Sequence, residues 1–341
     1  MKAIEITKPY EINIIERDVP KPKGNEALLK VLCCGICGAD VASFTGNQPF
    51  TTYPRIPGHE FSAQIVEIPD NDRGFKAGDI VTCNPYFNCG ECYACKRGIV
   101  NACHDNQTMG VQRDGSFQEY ITMPVDRIID GKGLKAEELA LIEPFSISCH
   151  ALSRAQVNNG DNLLIMGAGP IGLFALIKAK AMGANVLIAD MLESRLALAK
   201  EFGADMAVNV KDSDLHTVCD EFTDGCGFDV CVEACGAPET FLNCIDESAH
   251  GANIILIGNG KRKTTFVHSV ILKKELNIFG SRNAFTKDFE ELIDLVKSKK
   301  VNPLKMISGI YDIDNAKDAF DTLSHNDGSL AKLLIKFSDA E

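Results

Sequence analysis

The stretch that decides the fold runs from Leu163 to Gly172 and reads Leu-Leu-Ile-Met-Gly-Ala-Gly-Pro-Ile-Gly. Four apolar residues predict a buried strand, and the pattern from Pro170 to Met182 predicts the helix that follows it. The glycines between them have the form GxGxxG, in which the first permits a tight turn, the second lets backbone approach a pyrophosphate and the third lets helix and strand pack closely. The helix N-terminus offers unpaired N–H groups to phosphates. The predicted coenzyme contacts are therefore Gly167, Gly169, Pro170, Ile171 and Gly172.

The choice of coenzyme depends on the end of the next predicted strand. Asp190 closes that strand, where a carboxylate accepts hydrogen bonds from the adenosine ribose and repels a 2′-phosphate. The sequence therefore favours NAD over NADP. Arg195 is a further candidate contact, and it favours NADP, since an arginine can hold a 2′-phosphate. A glycine turn without a ligand is the alternative interpretation.

Two parts of the chain have different patterns. From about residue 160, six short apolar runs alternate with amphipathic helical stretches. This pattern predicts an α/β fold with a doubly wound parallel sheet, the Rossmann arrangement, over residues 153–281. Residues 1–152 contain short β-type runs separated by turn residues and predict a β-rich domain. Residues 282–341 are too few for a third domain, so we expect them to complete the first one.

Composition excludes several classes of protein. The chain has 341 residues, with 47 acidic and 35 basic side chains and a formal net charge of −12. That charge disfavours a general nucleic-acid binder, which must neutralise phosphates. The N-terminus lacks the pattern of a signal peptide, and the longest uncharged stretch, residues 162–177, is too short to span a bilayer and is interrupted by glycines. We therefore expect a soluble cytoplasmic protein that binds neither nucleic acid nor membrane.

The 14 cysteines are unusual, because disulfides are rare in a reducing compartment. Four of them have the spacing C-x2-C-x2-C-x7-C, which can close a tetrahedron of thiolates around one structural Zn²⁺. An iron–sulfur cluster shares the first spacings, although bacterial ferredoxins have a three-residue last gap followed by proline. Unligated thiols are a third interpretation. The four candidates are Cys89, Cys92, Cys95 and Cys103.

Three other places are ambiguous when each is taken alone. Cys34 and Cys37 form a CxxC string, but no thioredoxin-like βαβ pattern surrounds it. Cys37 is a candidate metal ligand only if it has partners. His59-Glu60 and Glu143 are each most often structural residues.

These motifs are more informative in combination. Five motifs follow one another along the chain: Gly35-Ile36-Cys37-Gly38, Gly58-His59-Glu60, the four-cysteine loop, Glu143-Pro144 and the glycine turn. Their order resembles that of the zinc-dependent medium-chain alcohol and polyol dehydrogenases. The resemblance spans essentially the whole chain. It implies a GroES-like catalytic domain interrupted by a Rossmann domain, NAD, two Zn²⁺ ions per subunit, and a homo-oligomer that is a dimer or a tetramer.

The resemblance also implies roles for particular residues. Cys37, His59 and Glu143 match positions around the catalytic Zn²⁺ of the family. Glu60 matches a position that binds the ion directly in some members and lies behind the ligands in others. The four-cysteine loop matches the family's structural zinc site.

A narrower resemblance concerns the substrate. Four stretches resemble the corresponding sequences of bacterial sugar-acid dehydrogenases: Gly46–Phe50, Tyr53–Arg55, Leu141–Phe145 and Gly280–Ala284. Those enzymes act at C5 of L-gulonate or L-galactonate and give fructuronate or tagaturonate. Such a substrate carries a carboxylate, and Arg282 is the leading candidate to bind it, because its planar fork pairs with carboxylates. Arg55 and Arg113 are weaker candidates, and a surface role for Arg282 is the alternative.

Other functions remain open from the sequence. A neutral polyol of the sorbitol type or L-threonine is the alternative substrate. A zinc-free quinone reductase of the same fold, and a non-catalytic regulator that retains the fold, are more remote.

The chain departs from the family at the proton relay. Simple alcohol dehydrogenases have a hydroxyl residue two positions after the catalytic cysteine, and often a histidine further on. Here Ala39 and Ala42 stand at these positions, and neither can carry a proton. Glu143, Glu60, Ser43, Thr45 or a chain of water molecules are the candidate substitutes.

Overall fold

The computed structural model describes residues 1–340 and divides the chain into two units, each with its own sheet. The first unit contains residues 1–144, residues 283–326 and the segment from Leu330 onward, and the second contains residues 145–282 and 327–329. The first change of unit lies after Pro144, earlier than the expected boundary after Leu152. It lies inside a continuous helix, so no turn residue marks it in the sequence.

The first part of the first unit is rich in strands and has few helices. Its strands are β1 (Lys2–Lys8), β2 (Glu11–Glu16), β3 (Glu26–Gly35), β4 (Glu60–Glu67), β5 (Ile80–Cys83), β6 (Tyr86–Phe87), β7 (Gln107–Thr108), β8 (Tyr120–Pro124) and β9 (Ile128–Asp130). Its helices are α1 (Gly38–Phe44), α2 (Tyr93–Lys96) and α3 (Ala136–Ala140), and α4 (Ile142–Arg154) continues into the second unit.

The second unit alternates strands and helices. In chain order these are β10 (Asn162–Met166), α5 (Pro170–Met182), β11 (Asn185–Asp190), α6 (Glu193–Glu201), β12 (Met206–Asn209), α7 (Leu215–Thr223), β13 (Phe228–Glu233), α8 (Pro238–Glu247), β14 (Ser248–Leu256), α9 (Ser269–Lys274) and β15 (Asn277–Gly280). The first unit then resumes with α10 (Thr286–Lys297), β16 (Ile307–Asp312), α11 (Ala316–Ser324) and β17 (Lys332–Lys336).

The sheet of the second unit is parallel, with the strand order β12-β11-β10-β13-β14-β15. The six apolar runs of the sequence form these six strands, so the predicted α/β class with a doubly wound sheet is confirmed. Chain order reverses between β10 and β13, and ligands of such sheets bind at the carboxyl ends of the strands on either side of this point.

The long strand β3 organises the first unit. It pairs antiparallel with β4, β8 and β17, and β17 comes from the last residues of the chain. Phe320 of α11 contacts Phe44 and Phe117 edge to face, with ring centroids 5.6 and 5.8 Å apart, and all three rings are buried. The C-terminal segment therefore shares a core with the N-terminal strands.

Among residues 1–340, the helices are all too short or too polar to traverse a lipid bilayer.

Candidate metal and coenzyme sites

The four-cysteine loop brings its sulfur atoms together. All four lie within 4.8 Å of one another, with Cys89 Sγ 3.5 Å and Cys92 Sγ 3.9 Å from Cys103 Sγ. These distances are far longer than a disulfide bond, which is about 2.05 Å. Tetrahedral zinc with Zn–S bonds of about 2.3 Å holds its sulfurs about 3.8 Å apart. The loop therefore fits one Zn²⁺ ion, and fits it better than a cluster whose cysteines each bind a different iron.

Backbone geometry prepares this loop for a cation. The N–H of Cys89 donates to Cys103 Sγ at 3.2 Å, and that of Cys92 donates to Cys89 Sγ at 3.3 Å. Backbone N–H donors, first that of Cys95, lower the pKa of Cys92 to about 6. Since the thiolate is the ligand form, the folded loop favours metal binding.

A second cluster lies in the first unit at the ends of β3 and β4. Ligand atoms of Cys37, His59 and Glu60 lie within 4.8 Å of one another. Cys37 precedes α1, and the antiparallel register places Glu60 opposite Gly35. A Cβ at Gly35 would come within 2.3 Å of Glu60 Oε2, so only glycine leaves room for this carboxylate.

The histidine of this cluster has a buried nitrogen without a hydrogen-bond partner. Among residues 1–340, none forms a hydrogen bond with His59 Nδ1, and the residue is only 5% exposed. A buried polar atom without a partner is costly unless a ligand satisfies it. Cys37, His59 and Glu60 supply thiol, imidazole and carboxylate, all of which are zinc ligands. This cluster therefore fits a second Zn²⁺ ion.

Two buried residues that sequence reasoning missed support this cluster. Asp40 accepts hydrogen bonds from the N–H groups of Cys37 (2.9 Å) and Gly58 (3.1 Å), and its Oδ1 lies 4.0 Å from His59 Nδ1. Although burial disfavours the charge, Cys37 and Asp40 raise the pKa of His59. Lys332 of β17 donates to Glu60 Oε1 at 2.6 Å. Asp40 carries a weak sequence signal as the N3 residue of α1, whereas Lys332 carries none.

Glu143 lies outside this 4.8 Å cluster but within reach of its charges. It is buried in the first turn of α4, and burial raises its pKa to about 7, with smaller effects from His59 and Glu60. The hydroxyl of Tyr86 donates to Glu143 Oε1. Tyr86 was also missed, because a single tyrosine in a two-residue strand gives no signal in the sequence.

Two of the candidate relay hydroxyls are occupied elsewhere. Ser43 Oγ donates to the Ala39 carbonyl at 3.0 Å, and Thr45 Oγ1 donates to the Val41 carbonyl at 3.0 Å. Both side chains thus bond to the preceding turn of α1, a common behaviour of Ser and Thr in helices. Glu143, Glu60 and a chain of water molecules remain as candidates, whereas burial raises the pKa of Tyr86 and disfavours its loss of a proton.

Tyr86 also lines a cavity of about 520 Å³ in the first unit. Its walls include the amides of Asn84 and Asn88, the hydroxyl of Thr286 and the ammonium group of Lys287. The cavity also has Asp126 and Arg127 in its walls, and two of its donors are already used, since Asn84 Nδ2 donates to Thr286 Oγ1 at 3.3 Å and Asn88 Nδ2 donates to Cys95 Sγ at 3.7 Å. The cavity is therefore polar and carries charges of both signs.

The glycine turn of the second unit has the predicted geometry. Gly167 has φ +106°, and a Cβ at Gly172 would come within 1.9 Å of the Gly167 carbonyl oxygen. A Cβ at Gly169 would meet nothing within 4 Å, so this side of the turn is open. Helix α5 begins at Pro170 with Gly169 as its N-cap. The turn therefore leaves room for a phosphate at the helix N-terminus.

Asp190 lies at the end of β11 beside this turn. Its carboxylate accepts hydrogen bonds from the N–H groups of Ala168 at 2.8 Å and Met191 at 2.7 Å. Arg195 Nη1 lies 3.5 Å from Asp190 Oδ2. Arg195 is thus paired with the carboxylate that disfavours a 2′-phosphate, which supports NAD rather than NADP as the expected coenzyme.

The three arginines considered for the substrate carboxylate lie in different surroundings. Arg282 is exposed directly after β15 in the second unit. Arg55 pairs with Asp114 at 3.1 Å, and the Arg113 guanidinium lies 3.7 Å from the centre of the Phe87 ring. Arg55 and Arg113 thus make contacts within the first unit, and Arg282 also has an interaction partner.

Comparison with known proteins places the chain in a family. Residues 23–133 match the alcohol dehydrogenase GroES-like domain and residues 170–298 match the zinc-binding dehydrogenase domain. The chain is 34% identical to L-galactonate-5-dehydrogenase of Escherichia coli K12 over 99% of both chains. It is 32% identical to sorbitol dehydrogenase of Halalkalibacterium halodurans over 94% of both.

A solved structure gives the same result. The alcohol dehydrogenase rspB of E. coli CFT073, crystallised with NADH, superposes with a TM-score of 0.91 at 31% identity and covers 99% of both chains. The GroES-like fold expected for the first unit is confirmed by the match over residues 23–133. The protein therefore belongs to the zinc-dependent medium-chain alcohol dehydrogenases, oxidoreductases that act on alcohol and polyol substrates.

Proposed function

We propose that the protein oxidises a secondary hydroxyl of a sugar acid, at C5 of L-gulonate or L-galactonate, and transfers the hydride to NAD. The products are fructuronate or tagaturonate. The observation that carries the catalytic part is the buried cluster of Cys37, His59 and Glu60, with its unpartnered imidazole nitrogen. The substrate class is supported by the 34% identity with L-galactonate-5-dehydrogenase.

We propose that the catalytic Zn²⁺ is held by Cys37, His59, Glu60 and Glu143. The four cysteines of the loop would hold the structural Zn²⁺. When bound, zinc supplies a Lewis acid for the substrate oxygen, and NAD supplies the hydride acceptor. The chain's own contribution at this centre is position, charge and proton transfer. Lys332 holds Glu60 by a hydrogen bond, and Asp40 holds the backbone N–H groups of Cys37 and Gly58 next to the cluster.

Glu143 and Glu60 are the carboxylates of this centre that we propose as acceptors of the proton that oxidation releases. The pKa of Glu143, which burial raises to about 7, would be lowered by a Zn²⁺ ion bound to its carboxylate. The Tyr86 hydroxyl keeps one oxygen of this carboxylate in place. The polar cavity beside Tyr86 suits a polyhydroxylated chain.

Arg282 is the residue that we propose to bind the substrate carboxylate, which must otherwise approach a protein of net charge −12. Arg282→Ala should raise KM for hexonates about tenfold or more and leave KM for neutral polyols nearly unchanged, because a charge-assisted hydrogen bond is lost. Arg262→Ala is the matched control, since Arg262 is exposed in the same unit and pairs with Glu239 at 2.6 Å. Equal effects of Arg282→Ala on both substrate classes would exclude a carboxylate contact.

A neutral polyol or L-threonine is the second candidate substrate, favoured by the 32% identity with sorbitol dehydrogenase. NADH formation measured with L-gulonate, L-galactonate, L-idonate, sorbitol and L-threonine distinguishes these functions. We expect the highest kcat/KM with one of the hexonates. Highest kcat/KM with sorbitol or threonine would replace the sugar-acid proposal, and no activity with both zinc ions bound would favour a non-catalytic regulator.

We also propose a homo-oligomer that assembles through the second unit. β15 is an edge strand of its sheet, and Ile278 on that strand is 38% exposed. Leu272 of the neighbouring α9 is 78% exposed. Exposed apolar side chains along a sheet edge favour pairing with a second copy. Light scattering on wild type and on Leu272→Lys tests this assembly, and an unchanged mass would exclude a contact at α9.

A further inference from the structure

Glu233 is a buried carboxylate that the proposed reaction does not use. It is the last residue of β13, one of the two strands at which the order of the sheet reverses. It is only 2% exposed, and no Lys, Arg or His among residues 1–340 pairs with it. A buried charge without a cation needs other partners.

The partners of Glu233 are hydrogen-bond donors of the loop that follows β13. Its Oε1 accepts from the N–H of Cys235 at 2.9 Å, the N–H of Gly236 at 2.8 Å and the hydroxyl of Thr240 at 2.6 Å. Successive backbone N–H groups that point at one anion form a nest. The carboxylate therefore fixes the path of the loop from Cys235 to the first turn of α8.

Glu233 also joins this loop to the one after β14. Its carbonyl accepts from the N–H of Gly258 at 3.0 Å, and a Cβ at Gly258 would come within 2.6 Å of Glu233 Oε2. Gly236 has φ +74°, and a Cβ there would come within 2.8 Å of the backbone of Asn259 and Gly260. The two glycine-containing loops are packed against each other around this carboxylate.

The loop fixed by Glu233 contacts the phosphate turn. Cys235 Sγ donates to the Met166 carbonyl at 3.3 Å, and a Cβ at Gly167 would come within 2.5 Å of this sulfur. Cys235 therefore links the loop that Glu233 holds to Gly167, the first glycine of the GxGxxG turn, which follows the neighbouring strand β10.

We propose that Glu233 is a coenzyme-positioning residue, which holds the loops after β13 and β14 against the Gly167 turn so that NAD binds to a preformed crevice. The inference rests on the proposed coenzyme site in the second unit. It adds that the shape of this site depends on an internal anion which does not itself contact the coenzyme. Losing the anion would free the loops, and ordering them would then weaken binding.

The experiment measures NADH affinity by fluorescence titration of the purified zinc-loaded protein. Glu233→Gln puts an amide donor against the N–H of Gly236 and should raise Kd for NADH about tenfold. Thr240→Val removes one donor to the carboxylate, together with the bond of this hydroxyl to the Ala237 carbonyl at 2.9 Å, and should raise Kd less. KM for NAD should rise with Kd, while KM for the alcohol substrate and the zinc content stay the same.

Glu247→Gln is the matched control. Glu247 is a buried carboxylate of the same unit, at the end of α8 before β14 begins, and its oxygens lie 3.2 Å from His216 Nδ1. The start of β14 lies at the amino ends of the parallel strands, opposite the carboxyl ends at which coenzymes bind. We therefore expect this variant to lose thermal stability without losing NADH affinity.

The outcomes separate the inference from the proposed site. If wild type fails to bind NADH, the proposed coenzyme site is wrong. If wild type binds and both Glu233→Gln and Thr240→Val bind NADH equally well or more tightly, the positioning role is wrong. If Glu233→Gln does not fold, the smaller loss of affinity expected for Thr240→Val decides, and a loss matched by Glu247→Gln would assign the effect to stability alone.

Discussion

The ammonium group of Lys332 donates a hydrogen bond of 2.6 Å to Oε1 of Glu60, a residue 272 positions earlier in the chain. Both side chains are almost completely buried, at 4% and 1% exposure. The pair exists because β17 lies antiparallel to β3, which in turn pairs with β4. A carboxylate of the candidate zinc cluster is thus held by the C-terminal segment of the first unit.

Replacing this lysine should be costly for stability. Lys332→Met leaves Glu60 buried without its cation, and breaking a buried pair in this way costs about 3–5 kcal/mol. The free energy of unfolding in denaturant measures the loss. Lys2→Met is the control, because the Lys2–Asp314 pair is exposed and should contribute little. Similar small losses in both variants would contradict the structural importance of the buried pair.

The four-cysteine loop should hold one of two zinc ions. Cys103→Ser removes a buried ligand, so zinc per chain should fall from about two to about one, and protease should cleave the loop faster. Elemental analysis measures zinc, and mass spectrometry locates the cuts. Cys226→Ser, at an exposed cysteine of the second unit, should change neither. A Cys103→Ser protein that keeps two ions would show that the loop is not a zinc site.

Tyr86 should act through Glu143. Tyr86→Phe removes the hydroxyl that donates to Glu143 Oε1 and keeps the ring that fills the core. Losing a hydrogen bond behind a metal ligand typically costs about 10–100-fold in metal affinity or activity. Competition with a chelator measures zinc affinity, and kcat/KM measures activity. Tyr120→Phe, at a partly buried position in β8, is the control, and equal behaviour of the two variants would remove Tyr86 from the site.

Asp190 should set the preference between the two coenzymes. Asp190→Ser removes the carboxylate that repels a 2′-phosphate and frees Arg195 from its ion pair. Kd for NADH should rise about tenfold or more, and Kd for NADPH should fall. Fluorescence titration with both coenzymes tests this, with Asp212→Asn on a nearby exposed turn as the control. An unchanged ratio of the two dissociation constants would exclude Asp190 from the ribose site.

The His216–Glu247 pair should give a small pH dependence of stability. The hydrogen bond and charge of Glu247, followed by the charges of Asp220 and Asp214, raise the pKa of His216 above 6.5. A raised folded-state pKa contributes stability below the unfolded value, and that contribution is lost as pH rises through the folded one. NMR titration should place the His216 pKa above 6.5, and Glu247→Gln should lower it. A wild-type pKa at or below 6.5 would contradict the pairing.

The second unit was the easier part to predict from sequence. Strands of a parallel sheet are buried on both faces, so each appears as a continuous apolar run, and all six runs became strands. The boundary near α4 was harder, because a helix that continues from one unit into the next carries no turn signal. The assignment of Asp327–Ser329 to the second unit had no signal either, since it depends on tertiary contacts such as the bond from Ser194 Oγ to the Asp327 carbonyl at 3.4 Å.

The candidate sites divide in the same way. The cysteine spacing and the glycine turn are local patterns, and their geometry follows from short stretches of backbone, so the sequence by itself determined them together with the α/β class. The preference for NAD over NADP stays a prediction that rests on Asp190. Tyr86, Lys332 and Glu233 gave no signal and Asp40 only a weak one, because their roles depend on burial and on partners brought close by the tertiary fold. Only the tertiary structure decided which acids lie beside Cys37 and His59 and which donors satisfy them, since the free energy of a buried charge depends on every neighbour and not on its place in the chain.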